Sequence, residues 1–153
     1  MFNFPPTTIL RHKRENLKKC SLSGLEGRPD FQFLTYPLPN LPNLDQYCIL
    51  SLDAPELSHE DAERGIFLID GTWRYARTMS QIIPKKGLHV FRSLPTYLQT
   101  AYPRRQPDCP DPTRGLASIE ALYAAYFILG RSTEGLLDHY YWKEQFLRNL
   151  RQL

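Results

Sequence analysis

The sequence predicts a single α/β domain built on a mainly parallel sheet, and three observations carry that prediction. Short apolar runs alternate along the chain with segments of helical period, the pattern of successive β–α units. One run, Ile66-Phe67-Leu68-Ile69, is bounded and apolar throughout, as a strand covered on both faces must be. That run stops abruptly at Asp70-Gly71-Thr72-Trp73, where a helical period begins with Trp73, Ala76, Met79 or Ser80, and Ile83 along one side.

The elements follow in chain order. Residues 1–30 form a basic N-terminal segment carrying Arg11, Lys13, Arg14, Lys18, Lys19 and Arg28. Phe31 to Tyr36 and Tyr47 to Leu52 read as strands, joined by the proline-rich link Pro37 to Pro42. Pro55 to Arg64 reads as a short acidic helix, and Ile66 to Ile69 as the third strand. Gly71 permits a sharp reversal, and Thr72 can cap a helix running from Thr72 to Ile83, stopped by Pro84 and Gly87. Leu88 to Phe91 is a further short strand. Pro103 to Gly115, with Arg104, Arg105 and several prolines, reads as a loop of functional length. Ser118 opens an apolar helix to Leu129, with Gly130 as its C-cap, and Thr133 to Tyr141 and Lys143 to Leu153 are terminal helical segments.

With 153 residues the chain makes one domain, 1–153, able to bury roughly 70% of its extended-chain surface. Hydrophobic content of 42% is that of a globular protein. No apolar stretch approaches the roughly 20 residues of a membrane span, and the N-terminus has no secretory pattern. A cytoplasmic location is expected, without a membrane partner. Cys20, Cys48 and Cys109 share no C-x-x-C spacing and the four histidines are scattered, so no metal site is expected. The net charge of +3 is unevenly spread: both ends are basic and Asp45 to Asp70 is acidic, which suggests a polyanion-facing side. Neither G-x-G-x-x-G nor G-x-x-x-x-G-K-[ST] occurs, so any nucleotide-like cofactor must be held in another way.

Ligands of open α/β sheets sit outside the carboxyl ends of the strands. Asp70, Thr72 and Trp73 therefore stand at a candidate ligand crevice. The structural alternative is that Asp70 only accepts backbone N–H groups and that Trp73 packs in the core.

Several segments together resemble one family. Leu68-Ile69-Asp70-Gly71-Thr72-Trp73 matches a D-x-T-W signature, and Lys18-Lys19-Cys20-Ser21 a K-K-C-[ST] segment. Arg92-Ser93-Leu94-Pro95 followed by Ala101-Tyr102-Pro103 is similar to R-x-L-P and A-N-P, and Leu116 to Ala121 to L-S-[ST]-x-E-A. Tyr141-Trp142-Lys143 through Phe146-Leu147 and Asn149 echoes an F-K-W-G-x-x-F-L-x-x-N tail. In this order the segments resemble the DTW-domain RNA aminocarboxypropyltransferases. The C-terminal motifs favour the ribosomal-RNA branch, whereas Gly71-Thr72 is more like the transfer-RNA branch. The Ala101 to Arg105 stretch departs from the family's A-N-P-V-N-Y-G.

The resemblance implies a knotted SPOUT-type methyltransferase-like fold, a monomer or homodimer, that uses S-adenosylmethionine as the aminocarboxypropyl donor. It implies cofactor contacts from Ser21, from Ile69, Asp70, Gly71, Thr72 and Trp73, and from Leu94, Leu116, Ala117 and Ser118. Trp73 and Ala76 are expected to wall off the methyl group so that the γ-carbon faces the acceptor. The expected reaction is alkylation of N3 of a uridine or pseudouridine-type base, with release of 5′-methylthioadenosine. Asp70 is the first candidate for the general base and Glu120 the second. Glu120 stands in the first turn after Ser118, where the alternative is a carboxylate stabilised by the helix dipole, and a capping box is not expected because Ala121 follows Ser118 by three. Arg74, Arg77, Arg92, Arg104 and Arg105 are the expected phosphate contacts. The competing functions are a knotted RNA methyltransferase and a non-catalytic RNA-binding ribosome-assembly module.

Overall fold

The computed structural model describes residues 3–17, 20–102 and 115–150, with the side chain of Trp73 outside that description. Lys18, Lys19, Arg104 and Arg105, and the expected loop from 103 to 114, also lie outside the described residues.

Five strands form one sheet: β1 (Thr7–His12), β2 (Phe31–Tyr36), β3 (Tyr47–Leu50), β4 (Gly65–Asp70) and β5 (Val90–Arg92). Their order is β2-β1-β4-β3-β5, and every described pairing is parallel. Among the described residues three helices accompany them: α1 (Trp73–Ser80), α2 (Ser118–Ile128) and α3 (Lys143–Asn149). Alternation along the strands divides the core in two. Ile9, Cys48, Ile66 and Leu68 pack with Ile119, Leu122, Ala125 and Tyr126 of α2 and with Phe146 of α3. Leu10, Ile49 and Phe67 point the other way and pack with Met79 and Ile83 around α1. The sheet is therefore covered on both faces, which is why β4 is apolar without alternation. Among the described residues no helix is long and apolar enough to cross a membrane.

Four local expectations are corrected. β1 lies within the segment read as basic and N-terminal, yet it is an interior strand with all six residues buried. Its sequence Thr-Thr-Ile-Leu-Arg-His hides it, because Arg11 and His12 are buried through partners that no local pattern reveals. The Pro55 to Arg64 stretch is not a helix: it holds only a 3₁₀ turn, His59–Asp61. Ser58 Oγ accepts from Glu60 N and Asp61 Oδ2 from Ser58 N, while Glu56 bridges Ser93 in an extended pairing. The two Ser58 bonds make a capping box that starts a helical turn, and the turn ends at once at Ala62. Thr133 to Tyr141 is a series of turns, with Gly135 at φ 79°, outside the helical region. α1 ends at Ser80 and runs on to Ile83 only through i→i+3 turn bonds.

The strand-to-helix junction differs in detail from expectation. Thr72 is the N-cap by position, its carbonyl accepting from Ala76 N at 2.8 Å, but its side chain makes no capping bond. Gly71 is not in the left-handed region. A Cβ there would stand 3.3 Å from Met79 Sδ, a tight contact that the methionine side chain would have to yield to by a few tenths of an ångström.

Candidate active site

The carboxyl ends of β3, β4 and β5 open onto a cavity of about 350 Å³, within the size range of small-molecule sites. Ile69 and Gly71 line it from the end of β4, and Ala76, Arg77 and Ser80 from α1. Leu94 contributes from the segment after β5, and Leu116 and Ser118 from the start of α2. The structure thus brings six of the expected cofactor residues to one place: Ile69, Gly71, Ala76, Leu94, Leu116 and Ser118. A more open groove of about 780 Å³ around Phe4 and Arg64 collects none of them.

Sequence reasoning missed Leu50, Ser51 and Leu52, which leave β3 at the same edge, as well as Ser93, Pro95 and Ala121. The strand-end rule that selected Asp70 would have selected Ser51 and Leu52 too. Ser93 and Pro95 flank Leu94 within a motif already in view.

Asp70 does not line the cavity. It is 5% exposed, one layer behind the wall, with Ser118 Oγ donating to its Oδ1 at 2.8 Å. Its Oδ2 accepts from Cys20 Sγ at 3.3 Å and from Arg11 Nε at 3.5 Å. Arg11 is itself buried, lies over Phe33 at 4.6 Å and reaches Glu26 Oε1 at 3.6 Å. Burial first, and then the Asp70 charge, push the Cys20 thiol up to about 12, so it stays a hydrogen-bond donor. The same two causes, in the same order, raise Glu15, and Arg11 partly opposes them. Ligand atoms of Glu15, Cys20 and Asp70 lie within 4.8 Å of one another. Arg11 already supplies positive charge to this cluster, and the thiol keeps its proton, so Cys20 and Asp70 are hydrogen-bonded beside a guanidinium, with Glu15 close enough to feel the Asp70 charge.

The start of α2 has an unusual cap. Its N-cap is Ala117, which has no side-chain acceptor. Ser21 supplies one from a distant segment, its Oγ accepting from Ile119 N at 3.2 Å. Glu120 is the third helical residue, and its Oε1 accepts from Ala117 N at 2.7 Å. The expectation that Glu120 takes no capping-box place is therefore corrected: the helix boundary lies one residue earlier than Ser118 suggested. Glu120 is fully buried and also accepts from Thr100 Oγ1, Ala101 N and Tyr140 OH, at 2.6, 2.7 and 3.1 Å. It does not line the cavity, nor do Ser21, Ala117 and the exposed Thr72.

The expected RNA contacts divide. Arg74 and Arg77 are exposed on α1, and Arg77 borders the cavity. Arg92 is committed elsewhere: its Nε donates to Asp61 Oδ2 at 3.1 Å, and a terminal nitrogen to Phe91 O at 2.9 Å. Beside α1, His12 stacks on Tyr75 with ring centroids 3.9 Å apart, and its Nδ1 accepts from Arg14 N. Burial, then Arg14 and Lys13, lower its pKa, which keeps the ring neutral.

A parallel sheet covered on both faces, with a ligand-sized cavity at its carboxyl edge, defines an α/β ligand-binding domain. No protein-family model matches the chain, and no curated protein matches it. Among solved structures, it is similar to the SAM-dependent rRNA:acp-transferase Tsr3 from Vulcanisaeta distributa. The two superpose with a TM-score of 0.68 at 26% identity, over 95% of this chain and 78% of that one. The expected fold class, a single α/β domain of SPOUT-like type, is the one found.

Proposed function

We propose that this chain is an S-adenosylmethionine-dependent RNA aminocarboxypropyltransferase of the DTW-domain kind. Its product is an N3-(3-amino-3-carboxypropyl) uridine or pseudouridine-type base, in small-subunit ribosomal RNA rather than transfer RNA. The observation that carries the reading is the convergence of Ile69, Gly71, Ala76, Leu94, Leu116 and Ser118 on one cavity. The likeness over 95% of the chain to a SAM-dependent rRNA:acp-transferase supports it. The reading brings with it a knotted backbone, a cytoplasmic location and a monomer or homodimer.

The cavity suits the adenosine part of the cofactor, because its wall is apolar apart from a few hydroxyls and one guanidinium. When bound, the sulfonium supplies an electrophilic γ-carbon and 5′-methylthioadenosine as leaving group. The protein's part is largely orientation, worth roughly 7–11 kcal/mol of barrier when near-attack geometry is held. Ala76 lines the cavity and Trp73 opens the same helix. We assign to these two residues the shielding of the methyl group. We assign Leu94, Leu116 and Ala117 to the adenosine end, Ser118 to the junction between that end and the reacting carbon, and Ser21 to the methionine part.

The acceptor N3 must lose a proton as its lone pair attacks. Ser118 is the cavity hydroxyl bonded to Asp70, to which it donates its own proton. The proton therefore leaves through Ser118 to Asp70 Oδ1. Help of this kind is typically worth about 10²–10⁴-fold. Arg77 stands at the rim for phosphate contacts, Arg74 is exposed on the same helix, and Arg104 and Arg105 are assigned to the same task.

The test is incubation of the protein with S-adenosylmethionine and ribosomal or transfer RNA. Methylthioadenosine should form with ribosomal RNA. S-adenosylhomocysteine would instead mark a methyltransferase, and no product from either RNA would mark a non-catalytic module.

A further inference from the structure

Glu120 has the most completely occupied side chain among the described residues, and its donors come from three separate parts of the chain. Thr100 Oγ1 and Ala101 N belong to the segment that follows the Ser93-Leu94-Pro95 wall of the cavity. Ala117 N belongs to the opposite wall, between Leu116 and Ser118. Tyr140 OH comes from the turns before α3. A carboxylate offers about four lone-pair sites, and these four donors fill them. No free acceptor remains for a substrate proton, and the side chain is 0% exposed.

We propose that Glu120 is a positioning residue: it fixes the separation of the Leu94 and Leu116–Ser118 walls and so sets the width of the slot for the adenosine end of the cofactor. Physical reasons favour this over simple core filling. Glu120 has no cation partner among the described residues, and a buried carboxylate of that kind is costly unless hydrogen-bonded throughout, whereas an apolar residue of similar size would pack more cheaply. The charge makes strong bonds to two backbone N–H groups, one in the segment that follows the Leu94 wall and one between Leu116 and Ser118. Thr100 Oγ1 also accepts from Tyr102 N at 3.0 Å, which fixes that segment in turn. Leu98, 2% exposed, anchors the same segment through Leu98 N to Pro95 O, so a shift at Thr100 is passed to Pro95.

The identity of the ligand rests on the function proposed above; the clamp itself does not. The experiment compares Glu120→Gln, Thr100→Val and Tyr140→Phe with the unaltered protein, well below each melting temperature. Calorimetry measures binding of S-adenosylmethionine and of methylthioadenosine, and hydrogen exchange follows the amides of Ala101 and Ala117. The glutamine amide keeps the shape but turns two N–H groups toward donors. It should weaken both ligands by the same factor, at least about tenfold, as expected for losing bonds to a charged group. Thr100→Val should weaken both to a smaller degree. Tyr140→Phe removes a donor that is not on either wall and should leave affinity within about twofold while lowering the melting temperature.

Faster exchange at Ala101 and Ala117 in Glu120→Gln, with strand amides such as Ile66 unchanged, supports the clamp even if neither ligand binds any of the proteins. That last result would defeat the proposed function alone. Unchanged exchange at both alanines overturns the clamp. So does a glutamine variant that binds both ligands normally and loses only turnover, the behaviour of a general base. Equal losses of affinity in Tyr140→Phe and Glu120→Gln would also overturn it, since they would reduce the residue to general support.

Discussion

Ser118 Oγ donates to Asp70 Oδ1 across 2.8 Å, joining the first residue of α2 to the last residue of β4. The bond spans the carboxyl edge of the sheet and places a hydroxyl between the buried carboxylate and the cavity. Replacement of either residue should therefore act on turnover more than on binding. Ser118→Ala and Asp70→Asn are each expected to lower kcat by about 10²-fold, with the dissociation constant for S-adenosylmethionine changed less than about threefold. Single-turnover kinetics with calorimetry separates the two quantities. A loss confined to affinity would remove the pair from the chemistry.

Arg11 is the structural support of that pair. Among the described residues it is the one guanidinium on Asp70, and both side chains are buried, at 10% and 7% exposure. Arg11→Met leaves a buried carboxylate with its cation removed, which costs about 3–5 kcal/mol when one partner of a buried pair is lost. Urea unfolding should show the drop, and Arg11→Met combined with Asp70→Asn should recover much of it. Equal stability of the single variant and the parent would contradict the buried pairing.

Two groups give opposite pH dependences of stability. His12 is depressed below its ordinary 6.5, so the unfolded chain takes up a proton before the folded one does. Its contribution is complete above about pH 6.5 and is lost as pH falls toward the folded value. Glu15 is raised above its ordinary 4.5, so the folded state holds the proton more tightly. Its contribution is complete below about pH 4.5 and is lost as pH rises through the folded value. His12→Gln should flatten the stability profile just below pH 6.5, and Glu15→Gln should raise stability at pH 7. Chemical denaturation across pH 4–8 checks both signs.

Burial leaves Cys20 and Cys48 as thiols, pushed up to about 12 and about 11. In the native protein at pH 8 both should resist alkylation, and both should react on unfolding. Fast native labelling of Cys20 would mean that its bond to Asp70 is not kept in solution.

Much of the site was legible because strand ends obey a simple rule. The apolar run ending at Asp70-Gly71 located β4, α1 and the cavity together, and the resemblance drew Leu94, Leu116 and Ser118 to the same place. What local pattern could not give was the purpose of buried polar groups. Arg11 read as part of a basic segment and His12 as one of four scattered histidines, because their partners Asp70 and Tyr75 lie some sixty residues away in sequence. Glu120 read as a possible base, because its donors at Thr100, Ala101 and Tyr140 are contributed by the tertiary fold. Arg92 read as a phosphate contact for the same reason: Asp61 is distant in sequence and adjacent in space.

Orientation of the sulfonium is the claim on which the account depends, and Ala76 is its best handle, because it lines the cavity on α1. Ala76→Leu should overfill the methyl side and weaken S-adenosylmethionine by about 1–3 kcal/mol, roughly 5- to 150-fold in Kd. The most direct measurement is the fate of cofactor carrying separate isotopic labels in its methyl group and in its aminocarboxypropyl chain, incubated with small-subunit ribosomal RNA. The account predicts chain label in the RNA and methyl label in released methylthioadenosine, in equal amounts. Methyl label in the RNA, with S-adenosylhomocysteine as the other product, would contradict it.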